Sequence, residues 1–462
     1  MRRGFLIQDA MTENMLKKFT FKGGVHPNDN KAQTDKKGIV VLQPPKTLVF
    51  PLVQHLGAPC TPIVKVGDRV LKGQKIADSE AFVSAPIHSS VSGTVTAIKP
   101  CPVPNGSMVE SIIIENDFEE ERAYTLEPTD YTTIAPNDIP GIIREAGIVG
   151  MGGATFPTHV KLMPPDPSKI DTIIVNGAEC EPYLTNDHRV MLETPEEVIL
   201  GLKVLLYRFG ITNGHIAIED NKKDAIALMK KECASESITI DTLKKKYPQG
   251  SEKQLIYAVT KRVIPTGKLP ADVGVIVVNI DTCTAIARRF MYGKPLMRRI
   301  VTVVGTPFKQ DANYKVRIGT PIDYIIEQNG GFIRNPAKVI MGGPMMGIAQ
   351  FRLDVPIVKG TSAILALTDK EAVIPPESPC IRCGKCVEHC PMNLMPLYLQ
   401  QLAAKGDLET CEKYDVTSCI ECGCCSFGCP SKRQLVQNIR IAKRSVMTIQ
   451  RERAQKEKEG AK

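Results

Sequence analysis

The 462-residue chain has no apolar stretch long enough to cross a membrane. A spanning helix needs about 20 predominantly apolar residues in succession, and charged residues interrupt the apolar runs of this chain well before that length. The N-terminus begins with Arg2 and Arg3, but Asp9 and Glu13 soon interrupt the sequence, so no apolar signal core develops. We therefore expect neither a membrane span nor a secretion signal.

Histidine is also scarce, and the positive charge is confined to one end. The seven histidines are scattered, and the chain shows no Ser-His-Asp set or metal-hydroxide site. Residues 431–462 carry ten Lys and Arg against three Glu, which gives +7 of the formal net charge of +9. Because the rest of the chain is nearly neutral, we do not expect nucleic acid as a partner.

Cysteine is abundant, and eight of the 15 cysteines fall in two runs of identical spacing. Each run reads C-x2-C-x2-C-x3-C-P, the pattern that holds [4Fe–4S] clusters in two-cluster ferredoxins, in which the fourth Cys ligates the other cluster. We therefore predict two clusters with crossed ligands. The first set is Cys380, Cys383, Cys386 and Cys429, and the second set is Cys390, Cys419, Cys422 and Cys425.

Zinc is the alternative for these thiols, because Cys-x2-Cys also occurs in zinc knuckles. Zinc usually takes its four thiolates from two separated pairs, which fits two runs of four poorly, so we favour iron–sulfur. With eight Cys assigned to clusters, the composition indicates a reducing compartment rather than a disulfide framework. Cys411 and Cys424 are expected to be bystander thiols. Cys180 is expected to be a small buried residue, with a redox role as the alternative.

The N-terminal part predicts an arm and then a small β domain. Residues 1–37 are polar and mixed, and 38–124 contain short β-rich runs separated by Gly and Pro. Within the second region, Val66–Ile76 and Ala85–Val95 resemble a biotinyl- or lipoyl-type barrel-sandwich. No Lys stands at the hairpin tip, where such a domain carries its swinging cofactor, so we expect an unmodified docking or structural module.

Residues 125–290 change to alternating helix and strand, the pattern of a Rossmann-like α/β domain. The expected strands are Thr172–Val175, His215–Ile218 and Val273–Val278. The expected helices are Pro195–Phe209 and Lys222–Lys231. The first of these helices begins with Pro-Glu-Glu, which suits both a proline at the first helical position and the helix dipole.

The C-terminal third predicts three more units. Residues 291–365 resemble a β-grasp (SLBB-like) domain, 366–430 form a helical, ferredoxin-like two-cluster domain, and 431–462 form a basic helical tail. Apolar residues of the tail recur at three- and four-residue spacing at Leu435, Ile439, Ala442, Val446 and Ile449. We expect this helix to cap the cluster domain, or alternatively to dock on an acidic partner or an anionic membrane surface. The predicted fold class is multidomain α/β plus β.

A Gly-rich loop, Gly150-Met-Gly-Gly, lies at the start of the α/β region. Main-chain N–H groups of such a loop can approach a phosphate closely, and Lys161 can add a charge. Alone the loop is weak evidence, since many Gly-rich loops are only turns. Two neighbours strengthen it: 176–183, which follow a predicted strand where α/β sheets place ligand contacts, and the Gly/acidic loop 247–253.

Two resemblances follow from these motifs. Gly150-x-Gly-Gly-Ala-x-Phe-Pro-Thr, followed by Asn-x-x-Glu-x-Glu-Pro, resembles the flavin-binding 51-kDa-type subunit of respiratory NADH dehydrogenase. From about Thr20 to Arg440 the domain order resembles that of the C subunit of the Rnf/Rsx ion-translocating electron-transport complexes. This resemblance implies a peripheral oxidoreductase subunit at the cytoplasmic face of the cell membrane. It would exchange electrons between NAD(H) and, indirectly, a ferredoxin-type carrier through FMN and two [4Fe–4S] clusters, with other subunits moving the ion.

The resemblance also implies site residues. The FMN phosphate and ribityl chain would be cradled by Gly150, Gly152, Gly153 and Lys161. The isoalloxazine edge would face Asn176 and Glu179. NADH would stack on Phe156 and hydrogen-bond through its ribose to Glu181 and Glu252. His159 within the loop is expected to be solvated, with a flavin contact as the alternative.

The chain departs from the respiratory subunit at three positions of these motifs. Met151 replaces Arg, Ala178 replaces Asp, and Tyr183 follows the Pro where Gly is usual. These changes bear on nucleotide contacts more than on the presence of a flavin. Two other functions remain open: a soluble flavin and iron–sulfur reductase similar to cobalamin reductases, and a flavin-free electron wire or scaffold.

Overall fold

The computed structural model describes residues 19–124 and 126–460, with side chains described to residue 457. The first half of the predicted arm, the segment expected to carry no secretion signal and the last two residues of the tail lie outside these ranges. Within them, no helix has the length and apolar character that a membrane crossing requires. Short 3-10 helices occur at Tyr131–Thr133, Pro136–Asp138, Pro167–Lys169, Pro270–Val273 and Val416–Ser418.

After the first strand, β1 (Ile39–Val41), the chain forms two small antiparallel sheets. Their strands are β2 (Thr47–Pro51), β3 (Thr61–Pro62), β4 (Arg69–Val70), β5 (Lys75–Asp78), β6 (Ile87–His88), β7 (Gly93–Pro102) and β8 (Met108–Asn116). The sheet orders are β2-β8-β7-β4 and β3-β5-β6. Leu48 and Phe50 of β2 and Ile112 and Ile114 of β8 are fully buried, the alternation of strands with one face in a core.

The second domain is a parallel sheet flanked by helices. Its strands are β9 (Thr172–Gly177), β10 (Gly214–Glu219), β11 (Ile238–Leu243) and β12 (Val275–Asn279), in the order β11-β10-β9-β12. Its helices are Ile139–Glu145, Thr158–Lys161, Asn186–Glu193, Pro195–Phe209, Lys223–Glu232, Glu252–Thr260 and Ile280–Tyr292. Asn176 of β9 is in register with Asn279 of β12, so both stand at the carboxyl edge of the sheet.

The helix Pro195–Phe209 confirms the prediction made from its local signals. Proline occupies its first turn with Glu196 and Glu197, and Gly210 ends it in the left-handed conformation at φ 64°. The predicted strands and the second helix are also present, with ends shifted by about two residues or fewer. Strand β11 was not predicted, because its sequence Ile-Thr-Ile-Asp-Thr-Leu resembles an exposed edge strand more than a buried parallel one.

A six-stranded sheet forms the third domain. It consists of β1, β13 (Arg298–Val304), β14 (Ala312–Arg317), β15 (Lys338–Met341), β16 (Ile348–Gln350) and β17 (Ala363–Leu367), with the helices Ile322–Gln328 and Asp369–Ala372. The order is β1-β14-β13-β17-β15-β16. Strand β1, expected in the first β domain, pairs here in parallel with β14. In sequence order, the chain thus contributes a strand to the third domain before the first domain begins.

The C-terminal unit is helical. Its helices are Lys385–Glu388, Pro396–Lys405, Leu408–Lys413, Cys424–Phe427 and Leu435–Gly460. The apolar face of the last helix is buried as predicted, with Leu435, Ile439, Ala442 and Val446 all at most 2% exposed. Ile449, the fifth predicted apolar position, is half-buried. This helix therefore covers the unit that carries both cysteine runs, and its basic residues take part in the contact, since Arg440 and Lys443 both pair with Glu421.

The arm is an integral part of the structure from Phe19 onward. The Phe19 N–H donates to Thr242 O over 3.2 Å, and Val25 exchanges two main-chain hydrogen bonds with Tyr247 at 2.8 and 2.9 Å. The Gly24 N–H donates to His389 O over 2.9 Å. The arm thus joins the α/β domain to the helical unit. No hydrophobic periodicity marked it in the sequence.

Candidate functional site

The Gly-rich loop is closed at its base by main-chain contacts. Val149 and Pro157 form an antiparallel bridge, and the Gly150 N–H donates to Phe156 O over 2.9 Å. Between these ends, no hydrogen bond among the described residues uses the main-chain N–H groups of residues 152–155. Four unused donors in succession fit an anion such as a phosphate. The Phe156 ring beside them is half-buried.

The two central glycines of the loop differ in their surroundings. A Cβ on Gly152 would lie 2.7 Å from Nδ2 of Asn279, closer than real Cβ contacts, so this position requires glycine. A Cβ on Gly153 would meet no atom within 4 Å. The loop therefore lies in close contact with the end of β12 at Gly152, whereas the space next to Gly153 is open.

Met151 of the loop is hydrogen-bonded to buried side chains, one of which belongs to an ion pair. The Met151 N–H donates to Oγ1 of Thr282 over 3.0 Å, and Nη2 of Arg299 donates to Met151 O over 3.3 Å. Arg299 is fully buried and paired with Asp281. The Met151 side chain, which stands where the respiratory subunit has Arg, is therefore directed inward.

Two predicted site residues meet at the carboxyl edge of β12. The Lys161 Nζ donates to Oε1 of Glu252 over 2.8 Å and to Val277 O over 3.2 Å. Both side chains remain about one-third exposed, 28% for Lys161 and 38% for Glu252. The ammonium group therefore stays within reach of a bound anion.

Asn176 connects strand β9 to the loop 247–253. Its Nδ2 donates to Gly250 O over 2.8 Å, and its Oδ1 accepts the Ala178 N–H over 3.2 Å. In the same loop the side chain of Gln249 is fully buried, yet neither its Nε2 nor its Oε1 has a hydrogen-bond partner among the described residues. A buried amide without partners is costly, so its capacity is available to a bound group.

Glu179 faces the interior instead. Its Oε1 accepts the Asp187 and His188 N–H groups at 2.6 and 3.3 Å, at the start of the helix Asn186–Glu193. Its Oε2 lies 3.6 Å from Nζ of Lys31 and 3.9 Å from Nζ of Lys222. The contacts of this carboxylate are those of a helix cap and a buried ion pair, not of a group open to a ligand.

Glu181 is engaged by the third domain. Its carboxylate oxygens accept the main-chain N–H groups of Met345 and Met346 at 3.1 and 2.9 Å. Burial raises the pKa of this carboxyl to about 7, although those two N–H donors and Lys31 oppose the rise. Glu181 thus joins the Met-rich turn after β15 to the α/β domain by two hydrogen bonds.

The structure therefore places seven of the nine predicted nucleotide contacts near one edge of the sheet and engages the other two elsewhere. The Gly loop, Phe156, Lys161, Asn176 and Glu252 surround the carboxyl edge of β9 and β12, whereas Glu179 and Glu181 are taken up by other groups. Sequence reasoning missed Asn279 and Gln249. The position of Asn279 at the end of an apolar strand was the available signal, and Gln249 lay inside a loop already singled out.

The expectation that His159 is solvated is wrong. It is 3% exposed rather than solvated, because it lies in the short helix Thr158–Lys161. Its Nε2 lies 3.0 Å from Phe82 O, and the two rings meet edge to face. Phe82 belongs to the tip where a lipoyl-type domain would carry its lysine, so this tip packs against the α/β domain.

The first predicted cysteine set lines a single cavity. Cys380, Cys383, Cys386 and Cys429 face it together. Cys380 and Cys383 are exposed, and Cys386 and Cys429 are half-buried. The structure thus brings the last Cys of the second run to the first three of the first run, the grouping that the crossed assignment requires.

The second set lies deeper. Burial raises the pKa of Cys419 to about 11 and that of Cys425 to about 12. Electrostatic repulsion from Cys390 and Cys422 adds to both increases, so the four thiols lie near one another. Main-chain N–H groups point at two of the sulfurs: Leu394 at Cys390 and Glu421 at Cys419, each over 3.4 Å. Such donors stabilise the thiolate form of cysteine, which is the form that binds a cluster.

The donor chemistry of both sets fits [4Fe–4S] clusters. Each set supplies four thiols and no other ligand type, as cubane clusters require. In the described part of the chain, no group of three or more His, Cys, Asp or Glu side chains is placed to hold a single metal ion. Of the remaining thiols, Cys411 and Cys424 are fully buried, and Cys180 is half-buried with its sulfur 3.3 Å from the Gly250 nitrogen.

The second set adjoins the loop 247–253 and the helix Glu252–Thr260. The Tyr247 hydroxyl donates to Cys422 O over 2.9 Å, and Nε2 of Gln254 donates to Pro391 O over 3.1 Å. Val25, Tyr247, Cys422 and Cys424 form one buried cluster. The loop that carries Gln249 and Gly250 therefore contacts the second cysteine set on one side and Asn176 on the other.

Three family models match the chain in order. Residues 19–119 match the RnfC barrel sandwich hybrid domain, residues 143–288 the Nuo51 FMN-binding domain and residues 300–349 the SLBB domain. The chain therefore contains an FMN-binding domain between two β-rich domains, which confirms this part of the predicted fold class.

Full-length relatives show the same order. Over 440 residues the chain is 45% identical to the C subunit of the Na+-translocating ferredoxin:NAD+ oxidoreductase complex of Acetobacterium woodii, covering 94% of this chain and 99% of that protein. It is 46% identical over 433 residues to the C subunit of the proton-translocating complex of Clostridium ljungdahlii, covering 93% and 94%. A solved NAD+-reducing [NiFe]-hydrogenase matches 69% of this chain and 63% of its own at 17% identity and a TM-score of 0.48, too remote to support a conclusion. By its near-complete match to the first two, the chain belongs to the family of C subunits (RnfC) of ion-translocating ferredoxin:NAD+ oxidoreductase complexes.

Proposed function

We propose that this chain is the peripheral subunit through which a membrane-bound, ion-translocating complex exchanges electrons between NAD(H) and a ferredoxin-level carrier. The names of its Na+- and proton-translocating relatives support both the reaction and the assembly with other subunits. We place it at the cytoplasmic face of the membrane, where NAD(H) and ferredoxins are found.

The Gly loop would hold the FMN phosphate. The unused N–H groups of residues 152–155 would supply hydrogen-bond donors, and Lys161, which is paired with Glu252 at the end of β12, would supply a positive charge. Asn279 lies against Gly152 of this loop, and Asn176, in register with Asn279, holds the loop 247–253 at the same edge of the sheet. When bound, FMN accepts a hydride as an electron pair and passes electrons on singly, which a [4Fe–4S] cluster requires.

The two cysteine sets would hold two [4Fe–4S] clusters in a ferredoxin-like arrangement. The lining of one cavity by Cys380, Cys383, Cys386 and Cys429 supports the crossed ligand assignment. Since the second set contacts Tyr247 and Gln254 while Cys380 and Cys383 are exposed, the second cluster would be the nearer one to the flavin and the first the nearer one to solvent.

The observation that carries this proposal is the loop 247–253, which contacts Asn176 at the carboxyl edge of the sheet through Gly250 and the second cysteine set through Tyr247. A flavin-free scaffold would not need this junction, nor the unused N–H groups of the Gly loop. A soluble cobalamin-reductase-like enzyme would use the same cofactors but would not be recovered with membranes.

The test is reconstitution of the full chain with iron, sulfide and FMN. We expect about eight iron and eight sulfide per chain, the content of two cubanes, together with one FMN. NADH should bleach both the flavin and the cluster absorbance. Clusters without flavin and without NADH bleaching would leave only the electron-wire function. Recovery of the native protein in membranes, released by salt, would distinguish the complex subunit from a free reductase.

A further inference from the structure

The two cysteine runs carry opposite charges at equivalent positions. The second residue after the first Cys of the run is Arg382 in one case and Glu421 in the other. Both residues are in the left-handed conformation, at φ 54° and 57°, so the main chain turns in the same way in the two runs. Arg382 is exposed, whereas Glu421 is half-buried. The second set therefore has a carboxylate beside its ligands where the first set has a guanidinium group.

Two basic side chains of the last helix, Leu435–Gly460, pair with Glu421. Nε of Arg440 donates to Oε2 over 2.6 Å, and Nζ of Lys443 lies 3.2 Å from Oε1. The side chains are 38% exposed for Arg440, 19% for Lys443 and 24% for Glu421, so water screens their charges only in part. Two cations against one carboxylate leave a net charge of +1. The tail thus reverses the sign of the charge next to the second set.

Lys443 also bonds to the main chain of a cluster ligand. Its Nζ donates to Cys419 O over 2.7 Å, and the Glu421 N–H points at the sulfur of the same cysteine over 3.4 Å. Ala442 and Val446, each 1% exposed, pack in the same apolar cluster as Cys419. The ammonium group is therefore held beside the second set by the packing of its helix and is not a mobile surface charge.

Charge near a [4Fe–4S] cluster acts on its reduction potential, together with hydrogen bonds to the sulfurs and solvent exposure. Reduction adds one negative charge, so a nearby cation favours the reduced form and a nearby carboxylate disfavours it. The second set adjoins the loop 247–253, through which it would exchange electrons with the flavin. A residue that raises the potential of the second cluster therefore favours electron transfer from the flavin to that cluster.

We propose that Lys443 and Arg440 raise the midpoint potential of the second cluster by outweighing the charge of Glu421. The C-terminal helix thereby makes this cluster a better electron acceptor for the flavin. This rests on the proposed function and adds to it the residues that set one of the two potentials. Both are positioning residues, since they act through Glu421 and Cys419 O. If the two cations only attach the helix to the helical unit, their removal changes stability and leaves the potential as it is.

The test uses the full chain reconstituted with iron, sulfide and FMN. EPR-monitored titration with dithionite and redox mediators gives the midpoint potential of each cluster, and Cys380→Ala, which should retain only the second cluster, identifies its signal. The variants are Lys443→Met, Lys443→Arg and Glu421→Gln. The matched control is Arg444→Met, which removes one cation from the adjacent, exposed position of the same helix. Iron content and thermal midpoints are measured for every variant.

We expect Lys443→Met to lower the equilibrium constant for reduction of the second cluster about tenfold, which is about 59 mV for a one-electron couple. Lys443→Arg should keep most of the wild-type potential, because the charge remains. Glu421→Gln should shift the potential upward, because one negative charge is lost. Arg444→Met should match the wild type, and the first cluster should keep its potential in every variant.

An unchanged potential in Lys443→Met overturns the proposal, as does an equal shift in Arg444→Met or a downward shift in Glu421→Gln. If Lys443→Met loses the second cluster, so that iron falls to about four per chain, Arg440→Met decides. It leaves the bond to Cys419 O intact and removes one cation from Glu421, so the proposal requires a lower potential there, and an unchanged one overturns it. Failure of the proposed function looks different. The mediated titration needs neither FMN nor NADH, so a chain without flavin or NADH bleaching still gives both potentials.

Discussion

The Tyr247 hydroxyl donates a hydrogen bond to the main-chain carbonyl oxygen of Cys422 over 2.9 Å, which ties the α/β domain to the second cysteine run. Tyr247 is 2% exposed, so this bond forms in a dry interface. Tyr247→Phe would leave the carbonyl unpaired, at a cost of about 1 kcal/mol. We expect a lower thermal midpoint and slower transfer from NADH to the clusters, measured by differential scanning calorimetry and stopped-flow absorbance.

Tyr257→Phe is the matched control, because that tyrosine is 39% exposed. It should leave both the midpoint and the rate unchanged. If the two variants behave alike, the contact between Tyr247 and Cys422 has no part in coupling the two domains.

The crossed ligand assignment predicts which cysteine variants share a phenotype. Cys429→Ala should remove the same cluster as Cys380→Ala, and Cys390→Ala the same cluster as Cys419→Ala. In each case iron should fall from about eight to about four per chain. EPR spectra of the reduced variants show which cluster remains. Cys424→Ala, a neighbour outside both sets, should retain both clusters. If Cys429→Ala instead matches Cys419→Ala, each run binds its own cluster.

The two central glycines of the Gly loop should respond differently to alanine. Gly152→Ala places a Cβ 2.7 Å from Nδ2 of Asn279, so the loop must shift, and we expect a loss of about 1–3 kcal/mol of stability together with weaker FMN binding. Gly153→Ala meets no atom within 4 Å, so the fold should tolerate it, and only FMN affinity should fall. Thermal midpoints of the FMN-free protein and FMN fluorescence titrations separate the two effects. Equal FMN affinity in Gly153→Ala and the wild type would place the phosphate elsewhere.

Lys161 should contribute to FMN affinity more than to stability. Its ion pair with Glu252 is about one-third exposed, and such pairs contribute only about 0–1 kcal/mol. Lys161→Met should therefore weaken FMN binding about tenfold, the loss of one charge-assisted contact, with little change in the thermal midpoint. Lys169→Met, at an exposed lysine 3.3 Å from Asp166, is the control for removing a paired surface charge. Identical FMN dissociation constants for both variants would contradict the assignment.

Glu181 should make stability depend on pH. Burial raises the pKa of its carboxyl from 4.5 to about 7, so the folded protein holds this proton more tightly than the unfolded chain. Its contribution to stability is therefore largest below about pH 4.5 and falls as the pH rises towards 7. Glu181→Gln removes this titration, so the thermal midpoint of the wild type relative to the variant should decrease from pH 5 to pH 8. Glu196→Gln, at an exposed position, should show a constant difference. A constant difference for Glu181→Gln would contradict the buried, N–H-bonded carboxylate.

Local signals explain the features that were predicted well from the sequence. The helix Pro195–Phe209 is bounded by a proline and a glycine that act on their own turns. The cysteine spacing predicts which thiols share a cluster, and that assignment stays a prediction. Long-range partners explain the features that were not predicted. The Glu179 carboxylate is ion-paired with Lys31, 148 residues away, and the Glu181 carboxylate accepts a hydrogen bond from Met345, 164 residues away. No short-range pattern distinguishes a carboxylate that awaits a ligand from one that a distant part of the chain has already engaged.

The arm makes the order of synthesis matter. Gly24 hydrogen-bonds to His389, and a Cβ on Gly23 would lie 2.8 Å from the carbonyl oxygen of Cys390, so the earliest described residues fit against a segment that is made much later in translation. Phe19 and Val25 can pair with the α/β domain as soon as its strands exist, but Gly23 and Gly24 reach their partners only once the helical unit has emerged. The contact between the arm and the helical unit is thus the last part of this junction to form.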